Sequence, residues 1–438
     1  MTLWKPGIAA LMLAVLSACG PAPPLATGKN TGPKPALPAP DTSWIPTARF
    51  ETARPWTGDD HPVAPKGFVV TAYARNLDHP RWLYVLPNGD VLVAESSTIP
   101  SPPKGLLDYI GDDLRKDSGD VGVSANRITL LRDSKGTGVV DARQVFLRGL
   151  DQPFGMLLLN GSFYVANTAS VWRYPYSDGA TEITARGEKI LDLPRGGYNN
   201  HRTRNLFARS DGEKIYVTVG SGSNVGENGA ENEFHRANVL EINPDGSGLR
   251  IFASGLRNPN GLGYAPGTND LWAVVNERDM LGNDLVPDYL TKVSDGAFYG
   301  WPYSYWGSHV DARVTPQRPD LVAKAVAPDY SLGAHVAALG LVFYTGSAFP
   351  SHYQGGAFIG EHGSWNRNPF SGYAVVYVPF ANGKPSGPPE PFLTGFMSAS
   401  EHGIAHGRPV GVAIDRTGAL LVADDVGNTV WRIAPKGP

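Results

Sequence analysis

The amino-acid sequence predicts an all-β fold, a six-bladed β-propeller with long inserted loops, preceded by a signal peptide and a flexible tether. Two observations predict this fold. A β-rich unit with a turn in its middle recurs six times along the chain, and amphipathic helical patterns are almost absent. Because a propeller repeats one antiparallel unit around an axis, this regularity favours it over the alternative, a pair of β-sandwiches.

Each repeated unit has the pattern of a β-hairpin. Two runs of β-branched or aromatic residues flank an Asn-Gly, Asp-Gly or similar turn, and such turns need residues that tolerate positive φ. The units follow one another at intervals of roughly 50–80 residues, whereas a minimal blade needs about 40–45. Long inserted loops must therefore fill the difference. The six units begin at Pro80, Pro153, Arg204, Pro259, Leu339 and Pro409.

The two ends of the repeat region are predicted to share one blade. The β-rich run Phe68–Ala74 precedes the first hairpin, and a second such run, residues 429–434, follows the last one. Pairing of these two runs would close the ring, which leaves only short and protected sheet edges.

The first residues have the pattern of an export signal. A short basic start is followed by an apolar run over residues 8–16, which is too short to span a bilayer. Small residues then precede Cys19, as in a bacterial lipobox, so residues 1–19 are predicted to be a lipoprotein signal peptide with Cys19 as the lipidation site. An ordinary signal peptide with a chance cysteine is the alternative. Gly20 is not the Asp linked to inner-membrane retention, so the outer membrane, facing the periplasm, is favoured.

The rest of the chain divides at residue 66. Residues 20–66 are rich in Pro, Ala, Gly and Thr without apolar periodicity, and we interpret them as a flexible tether. Residues 67–438 are predicted to be the propeller domain. Since Cys19 is the only cysteine, an internal disulfide and a cysteine nucleophile are excluded. The net charge of −3, with both signs interspersed, does not suggest a nucleic-acid surface.

Two basic residues stand where repeated units begin. His201 precedes the third unit, and a neutral imidazole there could accept a proton from a substrate hydroxyl. Arg257 precedes the fourth unit, where a fixed guanidinium could bind a carboxylate or polarise a carbonyl. The residues alone leave the plainer alternatives open, a histidine in a surface loop and an arginine that braces a turn.

These residues belong to a longer pattern that resembles the glucose/sorbosone dehydrogenase family, and most closely its L-sorbosone dehydrogenase-like branch. The pattern extends over roughly residues 67–435. Its parts are His201, the Gly-x-Arg-Asn-Pro-x-Gly of residues 255–261, the Val-Gly-Ser-Gly-Ser-Asn of residues 219–224, the Tyr-Gly-Trp-Pro of residues 299–302 and the run from Gly340 to Pro350.

The resemblance implies a dehydrogenase that oxidises an aldose or a sugar aldehyde and uses pyrroloquinoline quinone (PQQ) and Ca²⁺. By this resemblance His201 is the base that takes the hydroxyl proton, and Arg257 stabilises the charge that develops on the quinone. Asn258, Arg408 and Arg367 are then cofactor-binding residues. The family also implies an electron acceptor in the periplasm or membrane. The sequence leaves open whether the protein forms an oligomer.

The calcium ligands are expected in the loop of residues 276–284, which offers hard oxygen atoms. The soluble glucose dehydrogenases have a Gly-Pro pair there, but this chain has Arg278 and Asp279. We therefore assign Arg278, Asp279 and Asp284 to the metal site. Two other functions compete, a calcium-dependent propeller lactonase and a non-catalytic binding propeller, because fold does not fix function. Arg257 and Arg408 favour the dehydrogenase.

Overall fold

The protein folds as a six-bladed β-propeller, as the sequence predicts. The computed structural model describes residues 25–26, 28–41, 47–99, 115–195, 201–398 and 403–437. Six four-stranded antiparallel sheets follow one another along this part of the chain. Cys19 and the signal peptide lie outside the described residues.

Each blade extends from an inner strand beside the central axis to an outer strand at the rim. In this order, blades 1 to 3 consist of Pro80–Val85, Val91–Glu95, Arg127–Arg132 and Ala142–Leu147; Met156–Leu159, Ser162–Asn167, Ser170–Pro175 and Glu188–Asp192; and Leu206–Ala208, Ile215–Val219, Asn238–Ile242 and Arg250–Ser254. Blades 4 to 6 consist of Asn258–Tyr264, Leu271–Asn276, Pro287–Lys292 and Tyr330–Ala334; Ala338–Phe343, Ala357–Glu361, Ala374–Val378 and Glu390–Leu393; and Pro409–Ile414, Leu420–Asp424, Thr429–Pro435 and Phe68–Ala74.

Little other regular structure is present in the described residues. An α-helical turn, the helical residues 115–117 and two 3₁₀ turns lie in loops, and three strand pairs lie outside the blades. No helix in this part of the chain is long and apolar enough to cross a membrane. These elements are Pro319–Val322; Ala230–Glu233 and Ser351–Tyr353; and Thr52–Ala53 with Ile404–Ala405, Ser304–Tyr305 with His309–Val310, and Phe380–Ala381 with Lys384–Pro385.

The ring closes as the sequence predicts. The strand Phe68–Ala74 pairs antiparallel with Thr429–Pro435, and Val70 lies opposite Ile433. One blade is therefore assembled from both ends of the domain. The first and last blades cannot separate without breaking this sheet.

Glycine at the start of an inner strand lets neighbouring blades approach closely. A Cβ atom built on Gly261 would lie 2.6 Å from the backbone nitrogen of Leu341, and one on Gly340 would lie 2.2 Å from the carbonyl oxygen of Val410. Real Cβ atoms do not come so near to backbone atoms. The glycine of the repeated unit is thus explained by packing around the axis, where no side chain fits.

The hydrophobic core lies between the blades. Trp82 of blade 1 packs on Phe154 at the start of blade 2, with ring centroids 4.8 Å apart, in one buried cluster. Trp272 of blade 4 is buried in a second cluster together with Phe343 of blade 5. Full burial of such a side chain contributes about 1.5–3 kcal/mol, so contacts between successive blades hold the ring together.

Residues 47–66, part of the segment interpreted as a flexible tether, lie against the propeller. Thr52–Ala53 forms a parallel pair with Ile404–Ala405, and Trp56 packs on Trp431 with ring centroids 5.5 Å apart. The side chain of Glu51 is buried. This packing corrects the interpretation of these residues, because a Pro-rich segment without apolar periodicity can still bind in extended form along a surface that the fold supplies.

Candidate active site

A polar cavity of about 230 Å³ lies at the end of the propeller axis where the inner strands begin. Arg81 is the second residue of its inner strand, and Asn258 is the first residue of another. Arg408 directly precedes the inner strand of blade 6. The site therefore collects the first residues of successive repeated units. It brings together five of the residues predicted from the sequence: His201, Arg257, Asn258, Asp279 and Arg408.

His201 is held in one tautomer. Its Nδ1 lies 3.1 Å from the carbonyl oxygen of Ser221 and 3.0 Å from the hydroxyl of the same residue. Because a carbonyl oxygen only accepts, Nδ1 carries the hydrogen and donates it, which leaves Nε2 with a free lone pair. Burial, aided by the nearby Arg257, lowers the imidazole pKa to about 3. The ring is therefore neutral at ordinary pH and can accept a proton at Nε2.

Arg257 is buried and fixed by four hydrogen bonds. It donates to the carbonyl oxygen of Glu277 at 2.5 Å, to the backbone and side-chain oxygens of Asn224 at 3.2 and 3.0 Å, and to the carboxylate of Asp279 at 3.0 Å. A guanidinium has five N–H groups, so one is left for a ligand. Arg257 in turn is the main attractive charge that lowers the pKa of Asp279.

Asn258 presents an unpaired oxygen. Its amide nitrogen donates to the side chain of Asn276 at 3.1 Å, whereas its buried Oδ1 has no hydrogen-bond partner among the described residues. A Cβ atom on the neighbouring Gly220 would lie 2.2 Å from this oxygen. Since an unpaired buried acceptor is costly, Asn258 is suited to accept a hydrogen bond from a bound hydroxyl or N–H group.

Arg408 already has two carboxylate partners. Its Nη1 donates to Glu51 at 2.5 Å and to Asp120 at 2.6 Å. Its other donors reach the carbonyl oxygens of His362 at 2.9 Å and Gly363 at 3.0 Å. The guanidinium therefore lines the cavity with four of its five N–H groups in use, which the sequence prediction of a cofactor-binding arginine did not foresee.

Three predicted site residues do not line the cavity. Arg278 forms a buried ion pair with Asp311. Arg367 pairs with Asp284 at 2.8 Å and donates to the carbonyl oxygen of Asn283 at 3.0 Å. Each of these buried charges has an ion-pair partner within the protein. The side chains therefore hold the loops beside the site in place.

The sequence reasoning missed several residues of the site. Arg202 lines the cavity next to His201, and its guanidinium donates to neutral atoms of Thr98 and Ser96 at 3.0 and 3.4 Å. Among the described residues no salt bridge reaches it. Burial, together with the neighbouring Arg81, lowers its pKa to about 9. Its place beside His201 in the motif was the only signal in the sequence.

A buried carboxylate beneath the cavity organises further residues that were missed. Asp425 pairs with Arg81, accepts from His362 at 2.8 Å, and lies 3.3 Å from Nε2 of His79. These three partners keep its pKa well below the usual range, although burial alone would raise it. Arg81 and His362 line the cavity, and Asp425 fixes their orientation.

The donor set of the cavity fits an anionic ligand. Five arginines line it against four acidic side chains, and Arg202 is a buried cation without an anionic partner among the described residues. An isolated buried charge costs several kcal/mol, which an anionic ligand would offset. The arginines are Arg81, Arg115, Arg202, Arg257 and Arg408, and the acidic residues are Asp120, Glu277, Asp279 and Asp288.

The residues predicted to bind calcium do not come together. In the described part of the chain, no group of three or more His, Cys, Asp or Glu side chains has the geometry to hold a metal ion. Asp279 and Asp284 are each paired with an arginine. The predicted set of Arg278, Asp279 and Asp284 therefore does not fit a calcium ion, and we derive no step of the chemistry through one.

Solved structures with a similar fold include a domain of a sugar dehydrogenase. The fold of this chain matches the holo form of the PQQ domain of pyranose dehydrogenase from Coprinopsis cinerea with a TM-score of 0.68 at 20% identity, over 87% of this chain and 98% of that one. At this identity the likeness shows the fold.

Sequence comparison identifies the family. A model described as a domain of unknown function, DUF7133, matches residues 63–364, and one described as TrAA12-like matches residues 315–436. The first match covers more than half of the chain, so the chain belongs to the DUF7133 family.

Two relatives extend this comparison. An uncharacterised protein of Borreliella burgdorferi is 30% identical over 55% of this chain and 62% of its own length, and an aldose sugar dehydrogenase of Escherichia coli is 27% identical over 40% of this chain and 42% of its own. The matches thus span about three fifths and two fifths of these relatives. The predicted resemblance to PQQ-dependent sugar dehydrogenases is confirmed.

Proposed function

We propose that the protein is a PQQ-dependent dehydrogenase that oxidises an aldose or a sugar aldehyde, such as sorbosone, to the lactone or acid. One observation carries the proposal. His201 presents an unprotonated Nε2 next to a buried, fixed Arg257 in an arginine-lined cavity of a sugar dehydrogenase fold. A base and a cation in this arrangement suit the removal of a proton and a hydride from one alcohol group.

His201 performs the proton transfer in this proposal. The substrate hydroxyl donates its hydrogen bond to Nε2, and its proton moves there as the C–O double bond forms. PQQ, when bound, supplies the oxidant that takes the hydride from the same carbon. The Nδ1–H group keeps donating to Ser221, so the imidazolium that forms is stabilised by a fixed carbonyl oxygen. An anionic ligand beside His201 would also raise its low pKa and make it a stronger base.

Arg257 and Asn258 orient the reactants. The free N–H group of Arg257 can stabilise negative charge that develops in the cavity, and four existing hydrogen bonds prevent the guanidinium from moving. The unpaired Oδ1 of Asn258 can accept from a ligand donor. Arg202 would hold a carboxylate of the quinone, a role that the sequence had given to Arg408 and Arg367.

We also propose an exported protein, lipid-anchored at Cys19 and facing the periplasm, with its electron acceptor in the periplasm or the membrane. The lipobox pattern of residues 16–19 supports this location. In cells, wild type should fractionate with membranes and Cys19→Ser should be soluble in the periplasm. Equal fractionation of the two proteins would contradict the anchor.

Calorimetric titration of the purified protein with PQQ tests the proposed function, with Ca²⁺ and with a chelator in parallel. We expect one PQQ per chain. Arg202→Met should weaken binding at least about tenfold, because the buried cation that faces the cavity is lost. Calcium dependence would show that the metal acts through ligands other than the predicted three side chains. Failure of the wild type to bind PQQ under both conditions would refute the proposed function.

A further inference from the structure

Residues 47–56, which we call the strap, cross the propeller at the mouth of the cavity. The strap is held by backbone hydrogen bonds from Thr52 to Gly403 and from Arg54 to Ala405, each 2.8 Å long. The backbone N–H of Arg49 donates to the carbonyl oxygen of Trp365 at 2.7 Å. The strap is thus a bound element of the domain on both sides of Phe50 and Glu51.

Glu51 connects the strap to the cavity through a buried hydrogen bond from Arg408. Its side chain is 1% exposed, and its Oε1 accepts from Arg408 at 2.5 Å. The same Nη1 atom of Arg408 also donates to Asp120, which belongs to the insert between two strands of blade 1. One buried arginine therefore joins the strap and an inserted loop across the end of the propeller.

Phe50 adds an aromatic surface to the cavity. Its ring stacks on that of Trp365, with centroids 5.8 Å apart and planes inclined by 20°, and both rings line the cavity. The other lining residues are mainly charged or polar. A sugar ring carries C–H groups on its faces and hydroxyls around its edge, so it needs an apolar wall beside polar groups.

We propose that the strap is a wall of the substrate site, in which Phe50 and Trp365 pack against the C–H face of a cyclic sugar and favour it over short open-chain aldehydes. The inference rests on the proposed function for the identity of the reaction, but not for the binding of the sugar. Glu51 and Arg408 position the wall by fixing the strap.

The first test compares wild type with Phe50→Ala, Phe50→Leu and Thr52→Ala. The control Thr52→Ala changes an exposed side chain of the same strap. With PQQ-loaded enzyme, Phe50→Ala should raise KM for D-glucose about tenfold and KM for glyceraldehyde by a much smaller factor, whereas Thr52→Ala should leave kcat and both KM values unchanged. Phe50→Leu should keep part of the defect, because it restores apolar volume without a ring. Equal changes in KM for both substrates, or none, would overturn the proposal.

The second test does not depend on activity. Saturation-transfer NMR of the cofactor-free protein with D-glucose should show contacts to the ring C–H protons in wild type that are lost in Phe50→Ala. No transfer to glucose in the wild type overturns the proposal. If transfer is seen but PQQ does not bind, the proposed function fails and the sugar site stands.

Hydrogen exchange tests the role of Glu51 in positioning the strap. In Glu51→Gln, the amides of Thr52 and Arg54 should exchange at least about tenfold faster, since a charged hydrogen bond to Arg408 is weakened. The KM for glucose should also rise in this variant. Unchanged exchange at both amides would show that Glu51 does not position the strap and would overturn that part of the proposal.

Discussion

Asp425 offers a quantitative test of how the site is built. It is completely buried, and one of its oxygens accepts from Arg81 and His362 and lies 3.3 Å from Nε2 of His79. Asp425→Asn keeps the shape of the side chain and removes its charge. The guanidinium of Arg81, which is 6% exposed, then has no anionic partner at that position.

The magnitude follows from the burial of both groups. Breaking a buried ion pair by removal of one partner costs about 3–5 kcal/mol, because the other charge stays uncompensated. At about 2 °C per kcal/mol for a large domain, Tm should fall by about 6–10 °C. Scanning calorimetry of the two proteins measures this difference directly.

A matched exposed pair provides the control. Asp295 accepts two hydrogen bonds from Arg250, at 2.6 and 2.9 Å, but its side chain is 57% exposed. Asp295→Asn should therefore cost no more than about 1 kcal/mol. If Asp425→Asn lowers Tm no more than Asp295→Asn does, the buried pair does not hold the floor of the cavity and the reasoning fails.

Three further predictions concern the base, a buried acid and the packing around the axis. His201→Ala should lower kcat by about 10²–10⁴-fold and leave the calorimetric affinity for PQQ unchanged; full activity would remove the base from the mechanism. Burial raises the pKa of Glu277 from 4.5 to about 7, so the folded state binds more protons than the unfolded state in this interval and wild type loses stability as the pH rises from about 4.5 to 7. The free energy of unfolding of Glu277→Gln relative to that of wild type should thus increase by about 3 kcal/mol as the pH rises over that range. A difference in Tm between the two proteins that does not change with pH would contradict this. Gly340→Ala should cost at least about 1–3 kcal/mol in urea unfolding, because its Cβ would lie 2.2 Å from a backbone oxygen, whereas Gly122→Ala, with its nearest neighbour 3.7 Å away, should be nearly neutral.

The architecture could be predicted because its signals are local in sequence. Turn residues with positive φ, flanked by runs of β-branched or aromatic residues, mark each hairpin within about ten residues. Gly89 and Gly161 have φ of 93° and 72° in the turns of the first two units. The closing strand was also predictable, since a repeat that lacks an outer strand at one end must find it at the other.

The partners of the charged residues could not be predicted, because they come from distant segments. Arg408 pairs with Glu51 and Asp120, which are 357 and 288 residues away in the chain. Arg278 was assigned to a metal on the strength of its loop, yet it pairs with Asp311 in another loop. Local composition identifies residue types and cannot tell which oxygen a buried arginine will reach.

This division follows from the geometry of a propeller. The first residues of the inner strands converge on one end of the axis, so a repeated motif places His201, Arg257 and Arg408 in one cavity whatever the loops do. The inserted loops then determine how many N–H groups of each arginine remain available to a ligand. Arg257 keeps one N–H group for a ligand, and Arg202 forms no salt bridge with a described residue. We infer that in such a site the repeats determine where the chemistry occurs, and that segments outside the repeats, such as the strap that carries Glu51 and the insert that carries Asp120, determine which ligands the site accepts.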